Sequence, residues 1–196
     1  MLPSVSDNAA KFELRRAALA RRDALAPELR AAAAQVVASR PFPIDIRPGA
    51  VVAGFCPMRS EIDPIALMRR LAEAGAQLAL PAMLGRGRPL AFRAWAPGEP
   101  LGAGIWGIRE PAGAAPEVLP DVIIVPLAAF DRTGQRIGYG AGYYDLTLTA
   151  LRAVKSIVAV GLAFAAQEIQ AVPATERDAK LDLVLTEREA IDCRGT

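Results

Sequence analysis

Histidine is absent from this 196-residue chain, and cysteine occurs only twice, at Cys56 and Cys193. The first absence removes Ser-His-Asp hydrolysis, Cys-His nucleophilic chemistry and nearly every zinc site from consideration. Two cysteines are too few for a disulfide framework, so a reducing, cytoplasmic setting is expected. Although 53% of the residues are hydrophobic, alanine inflates that fraction, and no apolar run approaches the roughly 18 residues of a membrane span. The opening MLPSVSDNAA has neither the basic start nor the apolar centre of a secretory signal, and none is expected. Excess charge is scarce too: 23 Lys and Arg against 21 Asp and Glu leave a formal +2, too little to suggest a nucleic-acid partner. What remains for catalysis is carboxylates, Arg, Lys, Tyr and the backbone. That set suits phosphoryl transfer, which works by positioning and charge.

The length sits at the top of the range for one domain, roughly 100–200 residues, and a single domain over 1–196 is expected. Asp7 or Asn8 is placed to cap a helix running to about residue 25, and Pro27-Glu28 opens an alanine-rich second helix to about residue 39. Strands are expected over 50–55, 77–81, 90–95, 122–125 and 156–161, with another near the C-terminal end. Helices are expected from Asp63-Pro64 to about residue 74 and over 146–154, the latter pattern beginning at Tyr143. Gly85-Arg86-Gly87-Arg88-Pro89 reads as a basic hairpin turn on the surface, and 111–120 as a surface link. Short apolar strands alternating with helices argue for an α/β three-layer, Rossmann-like arrangement with a mostly parallel or mixed sheet flanked by helices.

The most informative stretch is PLAAFDRTGQRIGYGAGYYD, residues 126–145. Gly134, Gly138, Gly140 and Gly142 give it positions where φ can be positive and where no Cβ keeps a ligand from the backbone. Successive amides in such a loop, ending at a helix N-terminus, form a concavity that favours anions. All three tyrosines of the chain, Tyr139, Tyr143 and Tyr144, lie here beside Arg136 and Asp145. That much aromatic surface in one loop points to a partner for it. The Gly-Lys-Ser/Thr of a Walker loop is missing, and the glycines lie too far beyond the 122–125 strand for a dinucleotide fingerprint.

Arg136-Ile137-Gly138-Tyr139-Gly140-Ala141-Gly142-Tyr143-Tyr144-Asp145, preceded by Pro126 and Phe130-Asp131, resembles the signature of 5-formyltetrahydrofolate cyclo-ligases, and weaker similarity runs from Lys11 to about Glu187. The resemblance implies an ATP- and Mg²⁺-dependent conversion of 5-formyltetrahydrofolate into 5,10-methenyltetrahydrofolate on a Rossmann-like fold. It implies that Lys11, Arg15 and Arg136 carry the phosphate charge, and that the loop from Arg136 to Tyr144 cradles ATP. The substrate folate is then expected against Tyr139 to Tyr143, with Cys56 and Glu61 at folate-contacting positions. Trp106 either stacks on the pterin or fills the core. Asp145 and Asp178 fall at the positions of magnesium ligands. The chain departs from the family pattern at Ala141, Leu146 and Arg177, where Gly or Lys, Arg, and His are usual.

From the residues alone, other readings stay open. Lys11, Arg15 and Arg22 also fit a solvated basic helix face, Glu61 an exposed loop carboxylate, and Asp145 a first-turn acid favoured by the helix dipole. A non-catalytic nucleotide- or folate-binding regulator and a phosphosugar or CoA-ester enzyme of similar architecture are the alternative functions. The expected partners are small molecules only, in a monomer or small homo-oligomer.

Overall fold

Four branched residues in succession, Val122 to Val125, need burial on both sides, and they are at most 4% exposed. They lie mid-sheet in the computed structural model, which describes residues 5–195. In chain order the first elements are helices α1 (Val5–Asp23) and α2 (Pro27–Ser39), strand β1 (Val51–Ala53), helix α3 (Ile65–Glu73), and strands β2 (Gln77–Ala82) and β3 (Ala91–Ala94). A two-stranded ribbon follows, β4 (Leu101–Ala103) and β5 (Arg109–Pro111), then β6 (Val122–Pro126) and a hairpin, β7 (Ala129–Phe130) and β8 (Arg136–Ile137). Helix α4 (Tyr143–Arg152) leads to β9 (Val158–Leu162), β10 (Leu183–Leu185) and β11 (Ala190–Asp192).

Seven strands form one sheet in the order β11-β10-β9-β6-β1-β2-β3. The five from β10 to β2 run parallel, while β11 and β3 are antiparallel edges. Side chains alternate across the pleat and divide the core in two. Val122 and Ile124 join Val52, Leu78, Leu80 and Val160 beneath α2 and α3. Ile123 and Val125 join Ala53, Ala79, Ala159 and Leu148 of α4 on the other face. The result is a three-layer α/β arrangement with a mostly parallel sheet. Among the described residues no helix is long and apolar enough to cross a membrane.

Local chemistry accounts for most boundaries and for the differences from expectation. Helix α1 is already under way at Val5, so neither Asp7 nor Asn8 caps it; nothing in Val5-Ser6 breaks a helix, and the nearest breaker upstream is Pro3. Helix α3 starts at Ile65 rather than Pro64, yet Asp63 still serves its first turn, because its Oδ1 accepts the Ile65 N–H at 2.9 Å. The ribbon β4–β5, the hairpin β7–β8 and the edge strand β11 were not expected. Each is only two or three residues long, too short for an alternating pattern to register.

The hairpin β7–β8 depends on Asp131, which is 3% exposed. Its Oδ1 accepts from the Thr133 amide and hydroxyl and the Gln135 amide, and its Oδ2 accepts from the Val172 amide at 2.8 Å. Beside it, Gln167 donates to the carbonyls of Leu127 and Ala128 where the chain leaves β6. These bonds hold the loop that follows in one place. Replacing Asp131 with Ala strands four donors, the buried Val172 amide among them, so urea unfolding should show a loss of about 2–4 kcal/mol. A loss below about 1 kcal/mol would mean that the turn holds without the carboxylate.

Candidate functional site

Parallel strands align their C-terminal ends, and one gap along that edge is left uncovered by the connections. From β1 the chain crosses to β2 through α3 on one face of the sheet; from β6 it crosses to β9 through α4 on the other. Because β1 and β6 are neighbours, their crossovers diverge and open a crevice between them, the usual ligand position in such sheets. A cleft of ≈ 660 Å³ lies there, lined by Phe55 and Cys56 beyond β1, Pro81 and Met83 at the end of β2, and Pro126 at the end of β6.

Of the residues singled out from the sequence, Lys11, Arg15, Cys56, Glu61, Asp178 and every position from Arg136 to Asp145 line this one cleft. The side chain of Trp106 falls outside the described residues. Sequence reasoning missed Ile108 and Glu110, which the β4–β5 ribbon brings to the wall, together with Met58, Met83 and Leu90. Strand-exit position was the available signal for Met58 and Met83; nothing local marked the ribbon.

Part of the cleft lining favours anions. The amides of residues 139–142 have no acceptor among the described residues. Gly140 at φ +96° and Gly142 at φ +72° turn that segment back on itself, a conformation side chains with a Cβ resist. Gly142 is also the N-cap of α4, so the open amides lead into a helix N-terminus. Gly138, by contrast, does not take a positive φ. Helix α1 lies over this loop: Arg15 Nε donates to the Gly138 carbonyl at 2.7 Å, and its guanidinium lies 3.7–3.8 Å from where a Gly140 Cβ would stand. Arg15 has no carboxylate within ion-pair distance among the described residues. A partly buried cation facing only a carbonyl has capacity for an anionic ligand.

The two aspartates converge beside it. Asp145 Oδ1 accepts from the Arg136 guanidinium at 2.8 Å and from the Ala179 amide at 3.1 Å, next to Asp178 in the chain. Asp178 Oδ2 accepts from Lys11 at 2.6 Å and from the Thr175 amide and hydroxyl. Burial would raise the Asp178 carboxyl, but Lys11 and Thr175 outweigh it and hold it below the usual range. Each carboxylate commits one oxygen to protein donors. Asp145 Oδ2 and Asp178 Oδ1 have none among the described residues. Arg136 is 5% exposed and bonds Asp145 and the Ala179 carbonyl, so it ties the 175–180 loop to α4.

The rest of the lining is less polar and includes a half-buried acid. Glu61 Oε2 accepts the Met58 amide at 2.7 Å, closing a turn in which Arg59 sits at φ 55°, a strained conformation for a side chain of this size. Glu61 Oε1 is buried without a protein donor. Desolvation raises the Glu61 carboxyl above its ordinary value, and the Tyr139 hydroxyl, the Met58 amide and the Arg22 charge only partly offset it. Burial and the nearby Glu61 charge keep Tyr144 protonated. Burial likewise raises the Cys56 thiol, although Arg109 opposes it; Cys56 is wall rather than nucleophile.

A family model for 5-formyltetrahydrofolate cyclo-ligases matches residues 7–187. Among curated proteins, the 5-formyltetrahydrofolate cyclo-ligase of Escherichia coli is 35% identical over 174 residues, covering 85% of this chain and 94% of its own. That of Mycolicibacterium smegmatis is 34% identical over 154 residues, covering 73% and 76%. Among solved structures, the 5,10-methenyltetrahydrofolate synthetase of Aquifex aeolicus superposes with a TM-score of 0.76 at 30% identity, over 95% of this chain and 94% of that one. The fold is also shared with the Mycoplasma pneumoniae synthetase, at a TM-score of 0.69 and 20% identity.

Because burial favours protonated Glu61, its contribution to folding is complete at low pH and is lost as pH rises through its raised pKa. Glu61→Gln should therefore raise the melting temperature at neutral pH, and the gain should vanish near pH 4, where the native carboxyl is itself protonated. An equal or lower melting temperature at neutral pH would contradict this account of the site.

Proposed function

This chain belongs to the 5-formyltetrahydrofolate cyclo-ligase family, and we propose that it cyclises 5-formyltetrahydrofolate to 5,10-methenyltetrahydrofolate with ATP as phosphoryl donor. The observation that carries the reading is that a single cleft is lined both by open amides with Lys11 and Arg15 and by a buried acceptor with aromatic and apolar side chains.

The chemistry asks for both at once. A formyl oxygen on N5 is a poor leaving group, so the γ-phosphoryl group of ATP passes to it and ADP departs. N10 then attacks the activated carbon, loses its proton, and phosphate leaves as the methenyl bridge closes. For the first step the protein holds two reactants in line and neutralises charge that develops on the transferring group. Arg15 and the 139–142 amides meet the phosphates, and Lys11 is one turn of helix away from Arg15 on the same face. Tyr139 and Tyr143 line the same cleft, where they set the folate's formyl group toward the terminal phosphate. Glu61 Oε1 accepts from N–H groups on the pterin edge.

The residues present also fit a divalent ion. Mg²⁺ takes one or two carboxylates together with phosphate oxygens and water, and Asp145 and Asp178 each retain an uncommitted oxygen on the same side of the cleft. Bound there it would supply charge neutralisation. Arg136 then acts from behind, by holding Asp145 against the 175–180 loop.

Mixing the protein with ATP, Mg²⁺ and 5-formyltetrahydrofolate should produce the near-ultraviolet absorbance of the methenyl product, and omitting ATP should abolish it. Tight binding of both ligands with no absorbance change would instead mark a non-catalytic regulator. Asp145→Asn should reduce turnover by about 100-fold or more, with an unchanged circular dichroism spectrum. Turnover within about threefold of the parent would remove Asp145 from the reaction.

A further inference from the structure

Arg22 stands in the last turn of α1 and is 1% exposed. A guanidinium so placed needs acceptors for its donors, since an unpaired charge is costly to desolvate. The ion pair it makes is a poor one, since Asp23 Oδ1 is 3.6 Å from Nε with its side chain 60% exposed, and the Arg22 charge also acts on Glu61. Instead Nε donates to Ser60 Oγ at 2.9 Å and Nη1 donates to the Tyr139 hydroxyl. Ser60 in turn donates its hydroxyl proton to a hydrogen bond with Asp23. The cation also lies 5.8 Å from the centre of the Tyr139 ring, within cation–π range.

These acceptors belong to two separate loops that bound the cleft. Ser60 sits in the strained turn that ends at Glu61, between Arg59 at φ 55° and the acid itself. Tyr139 sits in the glycine loop and stays 37% exposed, so its hydroxyl is anchored in protein while part of the ring remains open to a ligand. Apart from the bond of Ser60 to Asp23, the 58–61 turn is closed by bonds between Met58 and Glu61 alone. Residues 139–142 make no amide bonds within the described protein, and a strained turn keeps its shape only when its surroundings over-determine it.

We propose that Arg22 is a positioning residue for the substrate in the cleft. By gripping Tyr139 through its hydroxyl and the 58–61 turn through Ser60, it sets the gap between the tyrosine ring and the open oxygen of Glu61. A flat heterocycle then lies against the ring while N–H donors on its edge reach the carboxylate. Arg22 touches no ligand; it acts through two others. The planar fork of an arginine serves two acceptors in two fixed directions, which the single ammonium of lysine does not reproduce. The identity of the heterocycle as a pterin rests on the proposed function, whereas the clamp itself does not.

The test compares Arg22→Lys, Tyr139→Phe and the double variant of the full chain. Arg22→Lys should raise the KM and the ATP-free Kd for 5-formyltetrahydrofolate about tenfold while the KM for ATP stays within about twofold. Tyr139→Phe should show the same split, and the double variant should be no worse than Arg22→Lys alone, since the lysine has already lost the bond that the phenylalanine removes. Equal increases in both KM values, or additive losses, would overturn the proposal. Should Arg22→Lys fail to fold, Tyr139→Phe and Ser60→Ala, each removing one of the two anchors, should each raise the KM for 5-formyltetrahydrofolate and not that for ATP, and equal increases in both KM values overturn the clamp. A readout independent of any ligand is fluorine NMR of 3-fluorotyrosine-labelled protein, whose three tyrosines give three resonances. The Tyr139 signal should move in Arg22→Lys, or in Ser60→Ala, by more than those of Tyr143 and Tyr144. An unmoved Tyr139 signal sinks the clamp even if the wild type binds folate; a wild type that binds no folate sinks only the proposed function.

Discussion

Everything functional in this molecule depends on a point where two crossover connections part. Strands β1 and β6 are hydrogen-bonded neighbours, but α3 leaves the first toward one face and α4 leaves the second toward the other. A helix covering that edge would close it, and none of the crossovers does. The residues that follow the two strands are therefore held at the mouth of one crevice by a rigid parallel sheet. The chain then adds a third wall from its far N-terminal side, laying α1 over the glycine loop.

That third wall is an electrostatic docking as much as a packing one. Lys11 meets Asp178 across 167 positions of sequence and Arg15 meets the Gly138 carbonyl across 123. Apolar support is modest, with Ala18 and Leu14 against Ala129, Ile137, Val172 and Ile169. The polar contacts are few, partly buried and directional. They leave Arg15 next to unpaired amides and leave two carboxylates with one oxygen each uncommitted. Elsewhere in the cleft the protein tolerates a desolvated acid and a strained turn at Arg59. Both work against folding, and both mark a surface shaped for a ligand rather than for stability.

Much of the fold was legible because its signals are local. Pro27 and Ser39 bound α2 where the sequence placed it, and the branched run at 122–125 is the buried strand it looked like. The basic turn 85–89 does join an antiparallel pair. Elements of two or three residues were not legible, because a pattern needs more positions than they have, and the start of α1 was misplaced because two good caps occurred where the helix had already begun. Its glycines and tyrosines marked the loop from Arg136 to Asp145 in the sequence, and it lines the cleft. Arg136 itself could not be read as it stands: a cation beside glycines suggests a phosphate contact, yet its side chain is turned inward onto Asp145 and the Ala179 carbonyl. Arg22 was indistinguishable from a solvated basic residue, since helical spacing assigns a face without saying what covers it.

By itself, then, the sequence determined the types of its elements, the chemistry open to a chain without histidine, and the glycine-rich turn with its aromatic neighbours. All of these follow from residue type and short-range spacing. Tertiary structure decided which charges meet: that Lys11 faces Asp178, that Asp145 and Asp178 converge through the Ala179 amide, and that a guanidinium at the end of α1 is sealed between Ser60 and Tyr139. The reason is that desolvation, Coulomb attraction and hydrogen-bond direction act over a few ångströms of space, and those ångströms are set by the sheet and its crossovers rather than by distance along the chain.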